Sequence, residues 1–333
     1  MGSERLGQQT TLLEVIFPTT ATQPSSRACV ELADQGAVDP DALPADAVAL
    51  LPMIEGGLNG SSTTLTPHLR GVVRHQRTRR LLLKASLIRL QRDLAVAGIE
   101  CVAMGGLAEW LLRPQVPHRA TNQLELLVAP THFHQAVERL VAEGAEPLIP
   151  LQANGIDPHS PRLGWIPFRL PRAAGARLHL HRRPAPLLPV HPDRVERLVA
   201  EAIPVPQAPS LKVPRVEDRI SLACACCLDP PGAGAGLFPY LADLAAALAD
   251  PACISLDLRR MQWALDQDTH PAAAQALLNW CRHPWKGDVP ALTRSPDLYR
   301  RMSRIAINVQ RRLRRSDWPT INRFIAARVT MLK

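Results

Sequence analysis

The sequence predicts an α+β fold: a small mixed sheet with flanking helices, followed by an all-α half. Three observations predict it. Helical and strand periodicities alternate between residues 66 and 181, apolar residues make up 46% of the 333, and the chain beyond Pro214 reads as helix after helix. Aromatic residues are only 4%, so the core must be built from Leu, Ala, Val and Ile. The 32 prolines fall mostly between apolar blocks, where they separate elements.

Residues 1–65 begin with a polar stretch and a loop through Pro18 and Pro24. Ala47, Leu50, Leu51 and Ile54 have helical spacing, but Pro52 interrupts them and predicts at most a weak helix. Gly56–Ser62 reads as loop. Thr66-Pro67 opens a long amphipathic helix through Leu69, Val73, Leu83, Leu87 and Leu94, ended by Gly98. The period then shortens. Ile99–Ala103 is a strand broken by Gly105-Gly106, Leu107–Arg113 is a helix stopped by Pro114, and Gln123–Val128 is a second strand. Thr131 is a candidate cap for a helix through Phe133, Val137 and Leu140, ended by Gly144. Trp165–Leu170 and Ala176–His181 form a hairpin. Prolines between 186 and 214 read as a connection. Helices are expected over Val216–Leu228, Phe238–Leu248, Leu256–Gln267, Pro271–Cys281 and Leu298–Arg314. The domains are therefore placed at 1–65, 66–205 and 206–333.

Seven cysteines with irregular spacing, no secretory leader pattern and no apolar run near the ~20 residues that span a bilayer predict a cytoplasmic protein with free thiols. Cys224 and Cys227 share a helix face, without a second Cys or His pair at zinc-site spacing, and are expected to be buried thiols. Nucleophile-elbow, Walker and zincin motifs are absent from the sequence. A composition rich in Ala, Arg and Pro and poor in Lys suits a high-GC bacterial genome. The net charge of +9 is carried by residues 294–333, which hold eleven Lys and Arg against two Asp. An amphipathic helix there would present arginines to an acidic protein or a carrier-bound partner. Nucleic acid is not expected, because aromatics for base stacking are sparse.

Alternate strand residues share a face, so Gln123 and Glu125 point the same way, and His179 lies on a later strand. The order of pieces resembles the nucleotidyltransferase superfamily typified by DNA polymerase β. It resembles, within that, a bacterial family of uncharacterised nucleotidyltransferases. The matching text is Gly98-Ile99, Met104-Gly105-Gly106, Arg119, Gln123-Leu-Glu125-Leu-Leu-Val128, Leu140 to Gly144, His179-Leu-His181 and Leu241-Ala-Asp243-Leu244. The resemblance implies a strand-borne carboxylate cradle for Mg²⁺, with Glu125, Gln123 and His179 at the catalytic positions and Glu125 as the metal ligand. It implies a nucleotide held by Gly105, Gly106 and Arg119. Glutamine and histidine stand where the family carries aspartate, and Met104 stands where it carries lysine. Two readings follow. One is a protein with degenerate metal-binding carboxylates, a pseudoenzyme that binds a nucleotide or a partner. The other is a transferase that moves a nucleotidyl group from an NTP, with Mg²⁺, to an acceptor the sequence does not name.

Overall fold

The computed structural model describes residues 15–16, 26–38, 43, 45–58, 63–148, 164–170, 176–184, 192–228, 238–269 and 271–282. The basic segment 294–333, with its expected helix over Leu298–Arg314, lies outside these residues. The architecture is the α+β arrangement expected: one five-stranded mixed sheet, helices against it, and a helical half.

Helices α1 (Ser26–Val38) and α2 (Ala45–Gly57) open the described chain. The weak helix expected around Pro52 is continuous, and it runs into the Gly56–Gly57 stretch read as loop. An interior proline costs about 3 kcal/mol. Burial offsets it: Ala47, Leu50 and Ile54 are 0% exposed and Leu51 1%, and each large side chain returns roughly 1.5–3 kcal/mol. These residues share a core with Val216, Ile220 and Cys224 of the helical half, so the N-terminal segment is welded to the C-terminal helices.

Helix α3 (Pro67–Val96) begins as the sequence indicates. Pro67 occupies the first turn, and the Leu69 amide donates to Thr66 Oγ1 at 3.3 Å. Gly98 ends it at φ 74°, with the Ile99 amide donating back to Leu94. Two buried polar residues on this helix act at a distance. Arg80 donates to the carbonyls of His118 and Arg119 at 3.0 and 2.8 Å, fixing the loop that carries Arg119. Gln91 donates to the Cys101 carbonyl and accepts from the Lys212 amide.

Strand β1 (Cys101–Ala103) leads into α4 (Gly105–Leu112). Strand β2 (Gln123–Val128) is followed by a 3-10 turn over Pro130–His132 and then by α5 (Phe133–Ala142). Thr131 does not cap α5. It lies inside that turn and donates to Glu196 instead, at 3.1 Å. Strands β3 (Glu146–Pro147), β4 (Trp165–Leu170) and β5 (Ala176–His181) complete the sheet. The order is β1-β2-β5-β4-β3, with β2 and β5 parallel and the other neighbours antiparallel. Leu124, Leu126, Leu178, Leu180, Ile166 and Phe168, each 0% exposed, face the core under α3 and α5. Gln123, Glu125, His179 and His181 point to the opposite face.

From Pro192 onwards the proline-rich connection is structured. It holds α6 (Pro192–Ala200) and a hairpin of β6 (Ile203–Val205) and β7 (Ala208–Val213). Pro204 sits on the short edge strand, where a missing N–H is tolerated. Val205, Leu211 and Val213 are fully buried against the sheet core, so the α/β unit continues through position 206 to Val213. The helical half follows as α7 (Val216–Leu228), α8 (Phe238–Leu248), α9 (Leu258–Asp268) and α10 (Pro271–Arg282). Its central helix α7 is buried along nearly its whole length, including Cys224 and Cys227. Among the described residues, no helix is long and apolar enough to cross a membrane.

Candidate functional site

The site forms where β1 ends. The Met104 amide donates to the Glu125 carbonyl at 2.9 Å, and Gly105 turns the chain at φ 67° into α4. This turn is tight because side chains press on it. A Cβ on Gly105 would lie 3.1 Å from Glu125 Oε2. A Cβ on Gly106 would lie 2.8 Å from Asp243 Oδ1 and 3.0 Å from Arg119 Cζ. Packing against Asp243 and Arg119 thus requires the glycine at 106, and the positive φ requires the one at 105.

Glu125 lies opposite His179 in the β2–β5 register, and its Oε1 accepts from the Gln123 amide at 2.9 Å. Its Oε2 is 4.0 Å from His181 Nε2. Burial alone would raise the Glu125 carboxyl. His181, the Gln123 hydrogen bond, His179 and Arg119 outweigh that and hold it below the usual range. The three positions Gln123, Glu125 and His179 are neighbours on one sheet face, and they offer one carboxylate between them.

Arg119 is fully engaged. Its Nε and Nη2 donate to Asp243 Oδ1 and Oδ2 at 2.7 and 2.6 Å, a bidentate pair joining the loop before β2 to α8. The guanidinium also lies 6.0 Å from the Tyr240 ring centroid. Burial raises the Asp243 carboxyl even against this pairing. A second acid, Glu109 of α4, accepts from Arg219 at 2.6 Å, and the other arm of Arg219 binds Asp250. Burial pushes Glu109 up to about 7. His118, beside Arg119, is buried: it is 4% exposed, its Nε2 lies 3.1 Å from the Arg113 carbonyl, and burial pushes it down to about 3.

These groups line a small, partly open cleft of about 50 Å³ between the sheet and α4, α7 and α8. Gly105, Arg119, Glu125, Asp243, Tyr240 and Glu109 all reach its wall. Gln123 and His179 lie beside it on the open sheet. Glu109 reaches the cleft as Arg219's partner. Asp243 was legible only as part of a Leu-x-Asp-Leu string, and its pairing with Arg119 across 124 residues carried no local signal. Among the described residues no group of three His, Cys, Asp or Glu side chains is placed to hold a metal ion. Gln123 and His179 supply no anionic oxygen, and Asp243 is bound by arginine, so these residues do not fit a two-Mg²⁺ cradle.

His181 is unusual in being 4% exposed with neither ring nitrogen in hydrogen-bonding geometry, although the Arg183 backbone lies close enough to favour the protonated ring slightly. Burial pushes it down to about 4, against the pull of Glu125. Because the folded value lies below the ordinary ~6.5, the unfolded chain binds the proton first, and stability present above pH 6.5 is lost as pH falls towards 4. Each pH unit in that window costs about 1.4 kcal/mol. Urea melts at pH 7.5 and 5.0 should therefore show the natural chain losing about 2 kcal/mol more than His181→Gln. Equal losses in the two proteins would show that the ring titrates no differently on folding.

The comparisons with known proteins bear on family. A crystal structure of an antigenic nucleotidyltransferase-like protein from Paracoccidioides brasiliensis is similar over 60% of this chain and 90% of its own, with 16% identity and a TM-score of 0.35. No curated protein matches the chain. The family model described as uncharacterised nucleotidyltransferase matches residues 47–249, which take in α2 to α8 and every residue of the cleft. That match covers more than half of the 333 residues, and the chain belongs to the uncharacterised nucleotidyltransferase family.

Proposed function

We propose that this protein is a degenerate member of its family, which binds a nucleotide at the sheet face and cleft around Glu125 without efficient nucleotidyl transfer. One observation carries the reading. The three cradle positions hold a single carboxylate, Glu125, while the other acids of the cleft wall, Asp243 and Glu109, are neutralised by Arg119 and Arg219. Two bridging metal ions need several anionic oxygens to offset their mutual repulsion, and one carboxylate does not provide that. Mg²⁺ chemistry therefore has no support from the residues present. Nucleotide binding is supported by the family.

The test is isothermal titration with a nonhydrolysable NTP, with Mg²⁺ and with EDTA. The natural chain is expected to bind with little dependence on Mg²⁺ and to turn NTP over weakly or not at all. The triple variant Gln123→Asp, Glu125→Asp, His179→Asp, with three carboxylates in place of one, should bind Mg²⁺ more tightly. Robust Mg²⁺-dependent turnover by the natural chain, abolished by Glu125→Ala, would overturn this reading in favour of an active transferase.

A further inference from the structure

The face of the sheet beyond Glu125 carries an arrangement that packing does not explain. In the antiparallel β4–β5 register, Arg169 lies directly opposite Arg177, Pro167 opposite His179, and Trp165 opposite His181. Opposed residues of an antiparallel pair share a face. Like charges in that position destabilise a sheet. Both arginines are exposed, and the ion pair that Arg169 makes with Glu146, at 3.4 Å between side chains each more than half exposed, offsets little of the repulsion. On its β2 side Arg177 meets the neutral Gln123.

Four residues along β4 from Arg169, about 13 Å at ~3.3 Å per residue, stands Trp165. Its ring is partly exposed and lies 4.5 Å from the His179 ring, centroid to centroid, at an interplanar angle of 35°. Pro167 forms a partly exposed apolar floor between the two ends. A cation pair at one end and an aromatic surface at the other fit one kind of ligand: a planar ring joined to a polyanion. A nucleoside triphosphate has that chemistry and that reach.

We infer that the β4–β5 ribbon is the nucleotide platform of this protein, with the base stacked on Trp165, whose ring is backed by His179 and His181, and the phosphates bridging Arg169 and Arg177. The inference rests on the proposal that the protein binds nucleotide, and it places the phosphates away from the cleft. There every arginine of the wall is already paired with a carboxylate, and a polyphosphate would have to displace Asp243 or Glu109. On the ribbon the phosphate charge relieves a repulsion the fold otherwise bears, so no divalent ion is needed.

The experiment titrates the full chain in EDTA with ATP and separately with adenosine. Trp165→Ala should weaken both ligands by five-fold to a hundred-fold, the range that loss of one base–aromatic stack produces, and Trp165→Phe should restore most of the affinity. The double variant Arg169→Gln, Arg177→Gln should weaken ATP at least ten-fold and leave adenosine unchanged. Its melting temperature without ligand should not fall, because a like-charge contact has been removed. If ATP binds the natural chain and all three variants equally, the platform is wrong while nucleotide binding stands, and the cleft is the site. If ATP does not bind the natural chain at all, the proposed function and the platform fall together. A loss of ATP binding accompanied by a lower melting temperature in the arginine variant would assign those residues a structural role and overturn the inference.

Discussion

Arg194→Met is expected to cost 3–5 kcal/mol of folding stability, the range for breaking a buried ion pair at one partner. Arg194 is 0% exposed and sits on α6. Its Nη1 donates to Asp218 of α7 at 2.7 Å, and its Nε and Nη2 donate to Asp268 at the end of α9 at 3.2 and 2.7 Å. Ser221 donates to the same Asp268 carboxylate at 2.8 Å, and Arg260 to Asp218 at 2.6 Å. Burial opposes the charge on Arg194, but the two aspartates outweigh it and raise its pKa. Methionine fills the volume and removes the charge, leaving Asp268 buried with only a hydroxyl. A denaturant titration followed by circular dichroism measures the loss. Adding Asp268→Leu to Arg194→Met should recover part of it, since an apolar replacement of both partners leaves fewer uncompensated charges. A single variant losing less than about 1 kcal/mol would mean that water reaches Asp268 freely. The contact also bears on the site. Val195, Leu198 and Val199 of the same helix cover Val102, Met104 and Leu127 beside the glycine turn, so loosening α6 should also loosen the wall of the cleft.

The second large effect is expected at the Arg119–Asp243 pair. Asp243→Ala leaves a guanidinium whose side chain is 13% exposed without its bidentate partner, at a cost of roughly 3–5 kcal/mol. Gly106→Ala should damage the same contact from the other side. Its new Cβ would lie 2.8 Å from Asp243 Oδ1, closer than carbon and oxygen tolerate, and the carboxylate it meets is pinned by two hydrogen bonds, one on each oxygen. A double-mutant cycle of Gly106→Ala and Asp243→Ala measures the coupling. The two changes should be non-additive, the alanine at 106 costing less once the carboxylate is gone and Arg119, the other group it crowds, is released to shift. Additive losses would show that the turn and the ion pair are independent.

Much of the fold was legible because local chemistry encodes it. Thr66-Pro67 and Gly98 bound α3 through an N-cap and a left-handed residue, and both signals lie within a few residues of the turns they make. Strands β2, β4 and β5 showed themselves by apolar alternation set between breakers. The same alternation put Gln123 and Glu125 on one face, whereas the expectation that His179 lies beside them rested on the order of the elements and the family resemblance. The misreadings have one cause. Pro52 and the prolines from 186 to 214 are local breaking signals, and distant packing overrode them: Leu50 and Ile54 against α7, and Val205 and Leu211 against the sheet. Thr131 met Glu196, 65 residues away, instead of capping its own helix.

The sequence by itself determined the class of the fold, the family, and that glutamine and histidine stand at positions 123 and 179, because each is a matter of residue type and short-range order. Only the tertiary structure decided which charges are spent. Arg119 reads as a free cation beside a glycine turn until Asp243 of α8 is brought against it. Glu109 reads as a spare acid until Arg219 closes on it, and Arg169 and Arg177 read as unrelated strand residues until antiparallel pairing sets them face to face. Coulombic interaction depends on separation in space, which the distance along a chain does not give until it has folded.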